Sequence, residues 1–252
     1  MVAHTRGLPE GSFFLEHSRD KEIQYIERSY LRWRDILKIL EARLPNSREL
    51  SCLDVGCSPF TFWLKDYFRQ VSALDLSGAF RGRCEAMGIA LHAGGVTSDE
   101  AFAGMPEVDC VICLEVLEHL HANPVKVLAR LRSALRGGGP LILSTPNMMC
   151  FANRGLMLLN RKLRHFAYPP FSFDDEVHGY GHDRVYMPAE LKEYFAAAGF
   201  ERVETLYQPH VFGVSHHPGR MRRLWAWMVI YLKRAIPSFR DGLVMVGWKG
   251  RE

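Results

Sequence analysis

The sequence contains no apolar run of about 18 residues, so no segment is expected to cross a bilayer as a helix. Residues 1–22 are polar and charged and lack an apolar stretch, so no secretory signal is expected. Neither sign of charge dominates: 32 Lys and Arg face 28 Asp and Glu, for a net charge of +4, and most of the excess sits late, where Arg220, Arg222, Arg223, Lys233 and Arg234 bracket one aromatic stretch. That modest excess, without a broad basic stripe, argues against a nucleic-acid partner. Cysteine is sparse, with Cys52, Cys57, Cys84, Cys110, Cys113 and Cys150 making six. Cys110 and Cys113 form a C-x-x-C, but no second pair has zinc spacing. The pair lies in an apolar run that reads as a strand, where residues three apart point to opposite faces. All six are expected to be small buried hydrophobes in a reducing compartment. The expected location is the cytoplasm, with membrane association left open. A G-x-G-x-x-G fingerprint is also missing. Gly56-Cys57-Ser58-Pro59-Phe60-Thr61 stands where it would, which disfavours a nicotinamide-dependent oxidoreductase. No internal repeat or low-complexity tract is present.

What remains is ordinary globular material. The chain has 252 residues, 48% hydrophobic and 24% charged, enough for one large α/β domain over 1–252. Residues 1–48 read as an N-terminal helical extension, because Ile23, Ile26, Tyr30, Trp33, Leu37 and Leu40 recur at three- and four-residue steps from about Phe13 to Leu44. Strands and helices then alternate through 49–147. Strands are expected at Ser51–Val55, Val71–Leu76, Ala90–Ala93, Val108–Leu114 and Leu141–Ser144. Helices are expected at Thr61–Phe68, Ala79–Met87 and Pro124–Leu135. This rhythm predicts a mostly parallel sheet covered by helices on both faces. Residues 148–187, rich in aromatics, histidine and proline, break it. A long insertion above the strand ends reads as a lid or substrate wall. Residues 188–252 resume with a helix at Pro188–Ala198, a strand at Phe200–Tyr207, a helix over 220–236 and a last strand at Leu243–Trp248.

Two segments carry chemistry. Val108–Leu114 is an apolar strand that runs into Glu115, Glu118 and His119, at positions i, i+3 and i+4. If the chain turns helical there, the three share one face. Ligands in open α/β sheets bind at that carboxyl edge. Leu50–Val55 is a second such strand and ends at Asp54 and Gly56. The glycine allows close backbone approach to a ligand, and the following helix start offers N–H groups. Asp75 closes a third strand about twenty residues on, where a carboxylate can take both ribose hydroxyls; it can equally cap the segment that begins at Ser77.

On Leu53-Asp54-Val55-Gly56-Cys57, Asp75 and Leu114-Glu115-Val116-Leu117-Glu118-His119, the chain resembles the class I S-adenosylmethionine-dependent methyltransferases. It is most similar to the small-molecule O-methyltransferases of the ubiquinone-biosynthesis type. The resemblance covers roughly Leu50 to Phe200 and implies a Rossmann-like sheet of seven strands, mostly parallel, with helices on both faces and the last strand antiparallel. It implies S-adenosyl-L-methionine as cofactor and methyl transfer to a small-molecule or lipid-linked acceptor. Asp54, Gly56, Cys57 and Ser58 would then hold its methionine end, Asp75 and Leu76 the ribose, and Gly95, Val96 and Leu114 the adenine side, with Glu115 touching the cofactor and, with Glu118, His119 and His182, facing the acceptor. Asp99 is a further candidate for the adenine amino group. The family loop reads D-x-G-x-G-x-G, whereas here Ser58 and Phe60 replace the later glycines. Phe60 needs room in that loop, and weakened binding or a reshaped loop is expected.

The E-x-x-E-H run also resembles a divalent-metal site, with Glu115, Glu118, His119 and His182 as ligands for Mg, Mn or Zn. Members that hold no metal keep the same run with a locally packed histidine. Without metal, His119 or His182, with Glu115, is the candidate for removing the acceptor's proton. Rival readings are a non-catalytic protein that kept the fold, an N-methyltransferase, and an RNA 2′-O-methyltransferase. The stretch 220–236, aromatic and flanked by arginines, reads as a helix packed on the domain, a peripheral membrane contact, or the seam of a homodimer.

Overall fold

The computed structural model describes residues 20–163, 184–208 and 220–251. The start of the expected first helix, half of the insertion and His182 lie outside them.

The first helix, α1 (Asp20–Arg43), buries Ile26, Ser29, Trp33, Ile36, Leu37 and Leu40. These residues sit at helical spacing on one face, which is why the segment is amphipathic. Leu44 still bonds back to Leu40, and Pro45 stops the helix. Seven strands follow: β1 (Ser51–Val55), β2 (Gln70–Asp75), β3 (Ala90–Ala93), β4 (Cys110–Leu114), β5 (Pro140–Pro146), β6 (Arg202–Gln208) and β7 (Gly242–Trp248). Their order is β3-β2-β1-β4-β5-β7-β6. Strands β1 to β5 are mutually parallel, and β7 inserts antiparallel between β5 and β6. The expected seven-stranded, Rossmann-like sheet with a last antiparallel strand is the one observed.

The interior strands are buried on both faces, so they read as continuous apolar runs. One face carries Cys52, Val71, Cys110, Ile112, Ile142 and Val244 and packs on α1, α2 (Pro59–Trp63) and α3 (Arg81–Ala86). The other carries Leu53, Leu74, Val111, Cys113, Leu141 and Met245 and packs on α4 (Pro124–Ser133) and α6 (Pro188–Ala197). Cys110 and Cys113 thus lie on opposite faces, and all six cysteines are buried and free.

Several boundaries shift by a residue or two, and two differences from expectation are larger. The helix expected over 61–68 is α2 followed by a 3₁₀ turn at Leu64–Asp66, because Ser58 caps it early and Pro59 fits its first position. The insertion is not without regular structure, since it opens with α5 (Phe151–Leu158), and its far end returns to the sheet edge by pairing Tyr186 with Asn147. The last helix, α7 (Arg220–Ala235), leads through a 3₁₀ turn at Pro237–Phe239 into β7.

Candidate functional site

The carboxyl ends of β1, β4 and β5 open into a cleft lined by Arg32, Trp33, Ile36, Asp54, Gly56, Ser58, Phe60, Leu114, Glu115 and Ser144. Strand alternation explains the set. Asp54, Leu114 and Ser144 lie two residues beyond Cys52, Ile112 and Ile142, on the face that looks toward α1. Helix α1 forms the opposite wall. The cleft holds about 400 Å³ of empty space, counting the part open to solvent.

Gly56 sits at φ +88°, and a Cβ there would lie 2.8 Å from Val116 Cγ2. Only glycine fits both constraints. The expected free N–H groups beyond it are not there. Gly56 N–H bonds Leu74 O, Cys57 N–H bonds Asp75 Oδ2, Ser58 N–H bonds Thr61 Oγ1, Phe60 N–H bonds Ser58 Oγ and Thr61 N–H bonds Ser58 O. Ser58 and Thr61 form a reciprocal cap in place of the later glycines. The polar groups offered to a ligand are therefore side chains.

Phe60 does not plug the cleft. It turns into the core against α1, stacked on Trp33 with ring centroids 5.7 Å apart and edge-on to Trp63 at 6.3 Å. The room that Phe60 needs is supplied by the N-terminal helix.

Asp54 is buried and accepts a 2.5 Å hydrogen bond from Thr61 Oγ1. Burial pushes its carboxyl up to about 7, only partly offset by Thr61, with the negative charge of Asp75 adding a smaller push. Glu115 adopts φ +55°, a conformation uncommon outside glycine. Its carboxylate pairs with Arg32 at 2.6 Å and accepts from Ser144 Oγ at 2.8 Å.

The E-x-x-E-H run is not an α-helical face. The left-handed turn at Glu115 leads into a 3₁₀ turn at Leu117–His119, which points successive side chains in different directions. Glu118 is fully buried and His119 is exposed. Among the described residues neither Glu118 oxygen has a well-formed hydrogen bond, though Thr145 and the Glu118 backbone lie near enough to favour its charged form. Burial, reinforced by the Glu115 carboxylate, raises its pKa well above the usual carboxylate range. Among the described residues no group of three or more His, Cys, Asp or Glu side chains is placed to hold a metal. With Glu118 inside, His119 outside and Glu115 tied to Arg32, the three described members of the expected ligand set do not converge.

Asp75 holds its own turn together: Oδ2 takes Cys57 N–H at 2.8 Å, and Oδ1 takes the N–H and hydroxyl of Ser77 at 2.7 and 2.9 Å. These bonds close a turn at Ser77, whereas the helix that follows starts later, at Arg81, without a side-chain cap; the carboxylate keeps further lone pairs. Leu76 is 84% exposed, and its Cδ1 would lie 3.6 Å from a Cβ on Gly95. Val96 is buried. Asp99 is committed to an ion pair with Arg130 on α4. Cys57 is buried with its sulfur 3.8 Å from that of Cys84. Arg32, Trp33, Ile36 and Ser144 were not among the expected site residues. Only the helical spacing of Trp33 hinted that α1 would meet the sheet.

A profile of the methyltransferase domain matches residues 25–205. A comparison with curated proteins gives no match. Among solved structures, a methyltransferase from Archaeoglobus fulgidus, described as dependent on S-adenosylmethionine, aligns with a TM-score of 0.57 at 14% identity, over 90% of this chain and 99% of that one. The Burkholderia thailandensis 1,6-didemethyltoxoflavin-N1-methyltransferase, solved with 1,6-didemethyltoxoflavin and S-adenosylhomocysteine, aligns at 0.57 and 18% identity, over 95% and 87%. The N-methyltransferase NodS from Bradyrhizobium japonicum, solved with S-adenosylhomocysteine, aligns at 0.52 and 13% identity, over 94% and 96%. At these identities the structural likeness speaks for the fold, while the profile covers well over half the sequence. The chain belongs to the methyltransferase domain family.

Proposed function

We propose that the protein transfers a methyl group from S-adenosyl-L-methionine to an oxygen of a small or lipid-linked acceptor, most like the ubiquinone-biosynthesis type of O-methyltransferase. The observation that carries this reading is the cleft at the carboxyl edge of the sheet, where a glycine that tolerates no Cβ lies beside a buried acid, an arginine and a second carboxylate. This set suits a zwitterionic amino-acid group. Asp54 would take the ammonium, and Arg32 offers a guanidinium for the carboxylate. Gly56, Cys57 and Ser58 would give the close backbone surface beneath it. Asp75 and Leu76 would meet the ribose, and Gly95, Val96 and Leu114 the adenine side. The Leu76 side chain standing over Gly95 supports that placement.

The bound donor supplies an electrophilic methyl on a sulfonium that leaves without acid help. The chain's own work is to exclude water, align the acceptor in line with that methyl and receive one proton. Glu115 lines the cleft and is the described group best placed to receive it. His119, exposed beside the edge, remains a candidate, as does His182, which lies outside the described residues. No step is assigned to a metal, because the described ligands do not converge.

A nitrogen acceptor is the second reading. Glu115 presents a carboxylate to the cleft, which favours a cationic amine that must shed a proton before attack. Two of the structural neighbours act on nitrogen according to their names.

Calorimetry with S-adenosylhomocysteine tests the donor assignment. Micromolar binding that falls at least about tenfold in Asp75→Ala is expected from loss of a charge-assisted contact. No binding at roughly millimolar ligand would leave a non-catalytic fold relative instead.

A further inference from the structure

Helix α7 presents Leu224, Trp227, Met228 and Tyr231 to solvent, 72%, 60%, 41% and 72% exposed. Their spacing is three, four and seven residues, so they form one stripe along the helix. The carboxyl end of α5 adds Leu158 at 88% and Leu159 at 71%. Both helices meet at the Pro237–Phe239 turn. The Phe151 and Phe239 rings lie 5.4 Å apart, and the Arg154 guanidinium sits 5.1 Å over Phe239. The far end of α7 is anchored to the domain by the Lys233–Asp241 ion pair and by Arg240, which donates to Lys233 O at 3.0 Å and to Tyr207 O at 3.0 Å. The exposed stripe is therefore on a fixed element. An apolar face of this extent is uncommon on a protein that meets only water.

Charge indicates what covers it. Residues 151–163 and 220–236 contain Arg154, Arg161, Lys162, Arg220, Arg222, Arg223, Lys233 and Arg234, and no acidic residue. These eight cations exceed the net charge of +4, so the rest of the chain sums to −4. A two-fold dimer through this face would bring like charges together, since such an interface repeats the same patch on both copies. An anionic surface with an apolar interior satisfies both halves of the pattern, with aromatic residues at headgroup depth and cations above it. No described helix is long and apolar enough to cross a membrane, so the fit is to lying on one.

We infer that α7 and the carboxyl end of α5 form a docking surface for an anionic lipid bilayer. The location gives the surface a use. Pro146 pairs with Gly242, which puts the turn that joins α7 to β7 at the carboxyl edge of β5, the same edge that opens the cleft. If the proposed methyl transfer holds, docking brings that edge to the bilayer and selects a lipid-linked acceptor.

Sedimentation of the full chain with vesicles tests the surface. Binding to phosphatidylcholine vesicles carrying about one third phosphatidylglycerol should exceed binding to pure phosphatidylcholine by at least about tenfold, and should weaken as salt rises. The variant Leu224→Glu/Tyr231→Glu should lose vesicle binding while keeping its melting temperature and its affinity for S-adenosylhomocysteine, because both side chains already face water. Equal binding to both vesicle types, or none, overturns the inference. So does a lipid-independent dimer, seen by light scattering, that the double variant dissociates. Donor binding is measured separately, so failure of the docking surface leaves the methyltransferase reading standing, and the reverse.

Discussion

Arg32 on α1 and Glu115 at the end of β4 meet at 2.6 Å within the cleft that both line, although 83 positions separate them in sequence. Their side chains are 17% and 19% exposed. The pair therefore fastens the N-terminal helix to the strand that delivers the acceptor-side carboxylate. Ser144 holds the other oxygen of Glu115, so its direction is set from two sides.

Arg32→Ala should lower both thermal stability and donor affinity, because it leaves Glu115 without its cation and removes the guanidinium from the cleft. Glu115→Gln should cost less stability on its own. A double-mutant cycle should show a coupling of roughly 0.5–3 kcal/mol by chemical denaturation. Strict additivity would mean the two side chains act independently.

Asp54 sets function against stability. Its carboxyl rises to about 7 on folding, so the folded protein holds a proton that the unfolded chain releases near its ordinary value of 3.8. Stability from this group is therefore lost as pH climbs between those two values. Asp54→Asn should melt higher than the wild type at pH 8 and about equal to it at pH 4. Donor binding should behave oppositely, tightening in the wild type as pH rises through about 7 and weakening in the variant, as read by calorimetry. A wild-type melting temperature indifferent to pH across this range would show that Asp54 is not held protonated.

Gly56→Ala is expected to be severe. The added methyl would meet Val116 at 2.8 Å in a backbone conformation that disfavours any side chain. A loss of about 1–3 kcal/mol in unfolding free energy, together with loss of S-adenosylhomocysteine binding, should follow. A variant of wild-type stability and affinity would show that the loop relaxes freely.

Glu118→Gln replaces a buried acid held in its neutral form with a neutral isostere. The melting temperature should be close to wild type near pH 4, and the variant should become the more stable protein as pH rises past the ordinary carboxyl value of 4.5, because the unfolded wild type then releases a proton that the folded protein holds. Methyl transfer that survives the change with an unaltered pH profile would place Glu118 in the support of the edge and outside the proton path.

Much of the sheet is readable because buried parallel strands are short apolar runs bounded by turns. Val108–Leu114 and Ser51–Val55 show this well, and the site edge follows from where they end. Three features were hidden for separate physical reasons. The left-handed turn at Glu115 is a single-residue event that no periodicity reports, so the helical face expected for Glu115, Glu118 and His119 is absent. The short helix α5 is masked by the aromatics and prolines that follow it in the insertion. Arg32 is a long-range partner, and α1 carries several charged residues with equal claim on sequence grounds. The closing of the 56–61 loop had a visible signature that was read as a defect: Ser58 followed by Pro59 marks a helix start, and Thr61 completes the cap.

The wall that α1 contributes is itself held by β6. Gln208 donates to the Arg32 carbonyl at 3.1 Å across 176 positions, and Arg43 bonds Glu204 at 2.8 Å. During synthesis, strands β1 to β5 can emerge from the ribosome and pair while this wall still lacks its fastening. A nascent chain stalled before Gln208 would carry Gly56, Asp54 and Glu115 yet present an unfinished hollow, so the ability to hold a ligand arrives only after β6 has been made.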